Sequence, residues 1–211
     1  MRFVLASASP ARLRALRGAG VEPEVVPPHV DESAYQAPSP GELATLLART
    51  KAEEVFARLD ISGPTIVVGC DSLLEFDGLP YGKPGSAEAA IMRWYRMRGR
   101  QGVFHTGHHV IVSDGRCLRE ANRLARTLVR FADLTDAEIA AYAATGEPAR
   151  VAGGFTIDAL GGPYVTHLEG DPHTVTGLSL PLLRQVLLDL GIVWHSLWED
   201  PGHGPGPGSI P

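Results

Sequence analysis

A chain of 211 residues with 44% hydrophobic and 20% charged residues is long enough to bury a real core, which excludes a disordered chain or a disulfide-stapled mini-protein. Its net charge of −5, with acids and bases mixed along the chain, excludes the broad phosphate-neutralising face of a duplex binder, so no nucleic-acid partner is expected. Cys70 and Cys117 have no CxxC or zinc spacing, the N-terminal apolar run is too short for a signal peptide, and no stretch approaches the ~18–20 apolar residues of a membrane span. A soluble, cytoplasmic protein without a membrane partner is the expectation.

Arg2 to Ala6 reads as a strand, and Ser7-Ala8-Ser9-Pro10 leads into a helix over Ala11 to Gly18, with Ser9 at the N-cap and Pro10 at the first helical position. Val21 to Val26 reads as a second strand. Pro40 to Leu59 has the apolar spacing of an amphipathic helix with Lys51 near its middle. Thr65 to Val68 is a buried strand that places Asp71 at its carboxyl end, where open α/β sheets hold ligands. Leu73 to Phe76, an Asp77-Gly78 turn and Gly82-Lys83-Pro84 follow.

Ala87 to Met97 reads as helix, and Gly102 to Ser113 and Arg123 to Phe131 as strands joined through Asp114-Gly115. Thr135 to Thr145 is a capped helix, Val151 to Ile157 a strand, and Leu178 to Leu190 a closing helix. The alternation predicts an α/β fold with a mixed, twisted sheet flanked by helices. A single domain over 1–198 is expected, followed by a mobile Gly/Pro-rich tail over 199–211.

The first turn offers Ser7, Ser9, free helix N–H groups and the nearby Arg12 and Arg14, which is either an anion site or a plain cap with solvated arginines. Asp31-Glu32 after Pro27-Pro28 suits a hard divalent ion or is a loop's solvated charge. Asp71 follows the apolar run Ile66-Val67-Val68, so burial raises its pKa; it suits a general base, a metal ligand or a structural turn cap. Lys51 and Lys83 add point charges. His105, His108 and His109 alternate along a strand and face different sides, against a zinc cluster among them. Gly153-Gly154 and Gly161-Gly162 form no G-x-G-x-x-G, against a dinucleotide site.

The motifs resemble a known family. Leu5-Ala6-Ser7-Ala8-Ser9-Pro10-Ala11-Arg12, Val30-Asp31-Glu32, Lys51-Ala52, Gly69-Cys70-Asp71-Ser72, Gly82-Lys83-Pro84, Thr106-Gly107 and Ala152-Gly153-Gly154-Phe155 are similar to successive motifs of the Maf nucleotide pyrophosphatases. Gly170-Asp171 through Val175, Gly177-Leu178 and Pro181-Leu182 resemble its closing motif. The resemblance implies a two-lobed fold like that of the inosine-triphosphate pyrophosphatases, with a central cleft and often a homodimer. It implies hydrolysis of nucleoside triphosphates to monophosphate and pyrophosphate with a divalent cation, Mg²⁺, Mn²⁺ or Co²⁺.

Carried over by motif, Asp71 is the proton acceptor, Arg12, Lys51 and Lys83 assist it on the triphosphate, and Glu32 and Asp71 hold the metal. Ser7, Ser9, Ala11, Arg12, Ser72 and Asp158 fall on substrate-binding positions. Ala11 departs from the family, which commonly has Arg or Trp there. Asp158 stands where the thymidine/uridine-type branch has Gln and resembles the branch preferring 7-methyl-GTP; a carboxylate accepts from guanine's N1–H and N2–H₂ edge, which points to a purine. The rival reading is a nucleotide-binding regulator of septum formation without catalysis.

Overall fold

The computed structural model describes residues 1–198; the predicted tail over 199–211 lies outside the described residues. β1 (Arg2–Ala6) runs into the turn that opens α1 (Pro10–Gly18). β2 is only Glu24–Val25, paired in parallel with Val4 and Leu5 of β1. The strand predicted over Val21 to Val26 is cut short because Pro23 has no N–H to give a ladder, while Val21 packs in the core instead.

A 3-10 turn at Glu32–Ala34 precedes α2 (Pro40–Arg58), whose Ser39 hydroxyl accepts from the Glu42 N–H. β3 (Thr65–Phe76) turns through Asp77 and Gly78 into β4 (Leu79–Tyr81), and α3 (Ala87–Met97) follows. β5 (Gln101–Ser113), β6 (Leu118–Phe131), α4 (Asp136–Ala144), β7 (Val165–Gly170), α5 (Pro172–Thr176) and α6 (Leu180–Asp189) complete the described α-helices and strands, with 3-10 turns that include Gly162–Tyr164 and Trp194–Leu197. Sheet order is β2-β1-β3-β5-β6-β7, with β4 on β3. β1 lies parallel to β2 and β3, and the other pairings are antiparallel, so the sheet is mixed as expected.

Asp71 does not end its strand. β3 continues to Phe76, but the pairing with β1 stops at Ala6↔Gly69, so Asp71 and Ser72 lie just past the end of the neighbouring strand. The crevice expected at a strand's carboxyl end is that of β1.

Alternation then sorts the side chains. On one face, Ile66, Val68 and Cys70 of β3 join Val110 and Val112 of β5 beneath α6 and Leu16 of α1. Farther along that face, Leu74, Phe76 and Phe104 join Trp94, Met97, Ile139, Tyr142 and Phe155 in a second core. Between them the same rows carry Ser72, Thr106 and His108, all buried, so a polar seam divides two apolar clusters. Val67, Ile111, Val4 and Ala6 occupy the opposite face, under Ala52 and Val55 of α2.

α2 lies close to that face because Gly69 and Gly107 carry no side chains there: a Cβ on Gly69 would strike the Ala48 carbonyl, and one on Gly107 the Ala44 carbonyl. The strand predicted over Val151 to Ile157 is absent; a 3-10 turn at Ala152–Gly154, just after another at Pro148–Arg150, stands there instead. Gly153 and Gly154 have φ of 72° and 77°, a left-handed backbone that no strand accommodates.

Candidate active site

The turn after β1 is built around Ser7. Its buried hydroxyl accepts from the Ser9 N–H at 3.1 Å and from Arg12 Nη1 at 2.9 Å. Ser9 occupies the N-cap position and Pro10 the first helical one, as predicted, but the Ser9 hydroxyl makes no capping bond and no acid lies in the first turn. The positive end of α1 is thus left without its own side-chain acceptor, which suits an anion. Ala11, half-buried beside it, adds no polar group.

Arg12 is held by groups far away in sequence. Nε donates to the Gly177 carbonyl at 2.8 Å, and Nη2 to Ser72 Oγ at 3.1 Å. Thr106 Oγ1 donates to the Thr174 carbonyl at 2.7 Å. A hydroxyl has one proton, so across the 2.9 Å contact Ser72 donates to Thr106. The chain Arg12–Ser72–Thr106–Thr174 therefore has a single direction. Gly177, with φ of 102° at the end of α5, takes the left-handed conformation that turns its carbonyl to Arg12. Gly177, Thr106 and Thr174 were not singled out for these roles from the sequence; the family-like motifs around them were the signal.

On the α2 side, Lys51 Nζ lies 2.5 Å from Asp71 Oδ1 and 2.6 Å from Glu32 Oε1. Lys51 and Asp71 are 7% and 6% exposed, whereas Glu32 is largely in solvent. Burial pushes the Asp71 carboxyl above the ordinary aspartate value, and the Lys51 and Arg12 charges pull it back in part. Asp71 Oδ2 is buried without any hydrogen-bond partner. Asp31, the other half of the acidic pair, spends its carboxylate on Ser33 N–H and Oγ in a local turn, which leaves Glu32 as the member that reaches the site.

The structure thus joins Ser7, Arg12 and Ser72 in one network and Glu32, Lys51 and Asp71 in another, around the end of β1. Lys83 is exposed and makes no hydrogen bond or ion pair to any of them among the described residues. Its loop is pinned where the Gly82 carbonyl accepts from Gly153 N–H and from Arg93. Asp158 is exposed and pairs with Arg14 of α1, Oδ2 to Nη2 at 3.5 Å, so it stands on the α1 side of the turn. Hollows of about 470 and 300 Å³ open elsewhere, one by Arg100 and Arg130, the other by Glu75, His105 and Arg126; the site residues line neither.

Of the three histidines, His108 lies in the polar seam, where Nδ1–H donates to the Thr106 carbonyl at 3.0 Å and Nε2 accepts from Ser179 N–H at 2.9 Å. Burial lowers its pKa to about 4, so it is neutral. His105 and His109 face α2, and His105 Nε2 lies 2.8 Å from Glu75 Oε2. His108 points to the opposite face from His105 and His109, so the three do not converge. Among the described residues no helix is long and apolar enough to cross a membrane.

Relatives of this chain carry a consistent name. A nucleoside triphosphate pyrophosphatase of Cutibacterium acnes is 53% identical over 96% of this chain and 97% of its own. Proteins of that name from Salinispora tropica, 53% identical over 94% of this chain and 88% of theirs, and Streptomyces coelicolor, 51% identical over 93% and 94%, are also similar. A solved Mycobacterium abscessus nucleoside-triphosphatase, titled dITP/XTP pyrophosphatase, overlays at a TM-score of 0.39 and 13% identity, covering 90% of this chain and 94% of that one. The family model described as Maf-like protein matches residues 2–190, and the chain belongs to the Maf-like protein family.

Proposed function

We propose that this chain is a nucleoside triphosphate pyrophosphatase that cleaves between the α and β phosphates, releasing nucleoside monophosphate and pyrophosphate. The observation that carries the reading is Asp71, a buried carboxylate with one oxygen on Lys51 and the other unpaired, beside the uncapped start of α1. That oxygen suits a group that accepts a proton from water. The names of the relatives support the same reaction.

In this reading the triphosphate lies against the α1 N–H groups, Ser9 and the remaining N–H donors of Arg12, with Ser7 and Ser72 holding the guanidinium in place. Lys51 spreads positive charge toward the phosphates, and Lys83 reaches in from its loop. Water attacks the α phosphorus, its proton passes to Asp71, the bridging P–O bond breaks, and the electron pair leaves on pyrophosphate. Glu32 and Asp71, both on Lys51, bring carboxylate oxygens of the kind that fits a hard divalent ion, Mg²⁺ or Mn²⁺. Bound there, such an ion would neutralise phosphate charge. Asp158 would contact the base and favour a purine. The free thiols of Cys70 and Cys117 accord with a reducing cytoplasm.

The test is pyrophosphate release from a panel of ordinary and modified nucleotides, with the Asp71→Asn variant beside the native chain. Pyrophosphate production that stops in the variant supports the reading. Nucleotide binding without pyrophosphate release by the native chain would overturn it in favour of a binding role.

A further inference from the structure

On β5 the odd-numbered positions face α2, and His109 is only 2% exposed there, with neither ring nitrogen hydrogen-bonded. An imidazole removed from water normally finds a partner for at least one nitrogen, and His105 and His108 on the same strand both do.

Two carboxylates stand beside His109. Glu120 of β6 sits diagonally across the ladder, since His109 pairs with Asn122, and its Oε2 is 3.6 Å from His109 Nε2. Glu53 comes from α2, next to Ala52, which packs over Gly69, the β3 partner of His109. One donor atom from each of the three lies within 4.8 Å of the other two. The 3.6 Å separation is too long for a hydrogen bond. It is close to the ~3.4 Å expected between two atoms that each lie about 2.1 Å from one tetrahedral ion.

We propose that Glu53, His109 and Glu120 form a second cation site, separate from the Asp71 carboxylates, that takes one borderline divalent ion such as Zn²⁺ or Co²⁺. A nitrogen ligand with two carboxylates selects this class over Mg²⁺, which keeps to oxygen donors. Both glutamates are exposed, so the ion enters directly from solvent, and water completes its shell. Arg49 Nε holds Glu53 Oε1 at 2.7 Å, which orients that carboxylate and leaves its other oxygen free. The ligands belong to α2, β5 and β6, so a bound ion pins the helix that carries Lys51 to the sheet.

The test uses the full chain after chelator treatment, with Zn²⁺ as the probe, and reads bound equivalents by elemental analysis and the shift in Tm. Glu53→Gln/Glu120→Gln is the diagnostic variant, because both side chains are exposed and glutamine keeps their shape. The native chain and Asp71→Asn should each bind this equivalent and gain Tm on adding Zn²⁺, and the double variant should lose both effects. Co²⁺ should give visible absorption in the native chain that His109→Gln abolishes. Unchanged Zn²⁺ binding in the double variant, its loss in Asp71→Asn instead, or no Zn²⁺ bound by the native chain would overturn the proposal.

Discussion

Lys51 and Asp71 form a buried ion pair at 2.5 Å between a helix and a strand that meet closely at Gly69. The same ammonium also reaches Glu32, so one cation balances two carboxylates, and the energetics of the site turn on it.

Removing that cation should be costly. Lys51→Met leaves Asp71 buried without compensation, and breaking a pair of this kind costs about 3–5 kcal/mol. Adding Asp71→Asn should recover most of the loss. Urea denaturation of the two single variants and the double variant measures the coupling, and strictly additive effects would show that the two side chains do not interact.

Replacing the proposed base alone should separate chemistry from folding. Asp71→Asn is expected to lower kcat roughly 10²–10⁴-fold while binding of a non-hydrolysable nucleotide persists, as read by calorimetry. An active, folded Asp71→Asn protein would remove the carboxylate from the mechanism.

The raised pKa of Asp71 gives two pH effects of defined sign. As the proposed base it works in its ionised form, so the acid limb of kcat/KM should lie above the ordinary aspartate value of 3.8. A carboxyl whose pKa is raised by folding contributes stability that is complete below its unfolded value and fades as pH climbs through the folded one. The Tm of Asp71→Asn relative to the native chain should therefore improve from pH 4 upward. Thermal scans across pH check this, and a difference that does not change with pH would contradict it.

Arg12→Lys should behave as a severe change. A single ammonium cannot serve Ser7, Ser72 and the Gly177 carbonyl together as the guanidinium does. kcat/KM should fall by about 10²-fold or more. Initial-rate kinetics would show this, and near-native values would mean that Arg12 is only structural.

Gly107→Ala should push α2 off the sheet, because the new methyl meets the Ala44 carbonyl and Thr45. Overpacking of this kind costs about 1–3 kcal/mol. It should also cut turnover by loosening Lys51 from Asp71, so denaturation and kinetics should change together. A stable and fully active Gly107→Ala would refute the close-approach argument.

Much of this was legible in the chain. Ser9-Pro10 marks the start of α1, the run Ile66-Val67-Val68 forecasts the burial of Asp71, and Thr135 with Glu138 forms the expected capped start of α4. Exposed strands were not legible. β7 and the first residues of β6 carry polar side chains toward solvent and lack the apolar run that marks a buried strand. The contact of Arg12 with the Gly177 carbonyl spans 165 residues, and periodicity, a local signal, carries nothing about such a pairing. Residue types named the chemistry, while the end of β1 and the glycine-lined face of the sheet decided where it assembled.

The one-way hydroxyl chain behind Arg12 leaves the guanidinium nothing to rearrange when a ligand arrives. Its dipoles are already set by the Thr174 carbonyl, whose position belongs to the backbone of α5. In the proposed reaction, negative charge growing on a phosphate oxygen beside Arg12 would meet a field fixed during folding, so the rate should depend more on how firmly α5 is seated than on the mobility of any side chain at the turn.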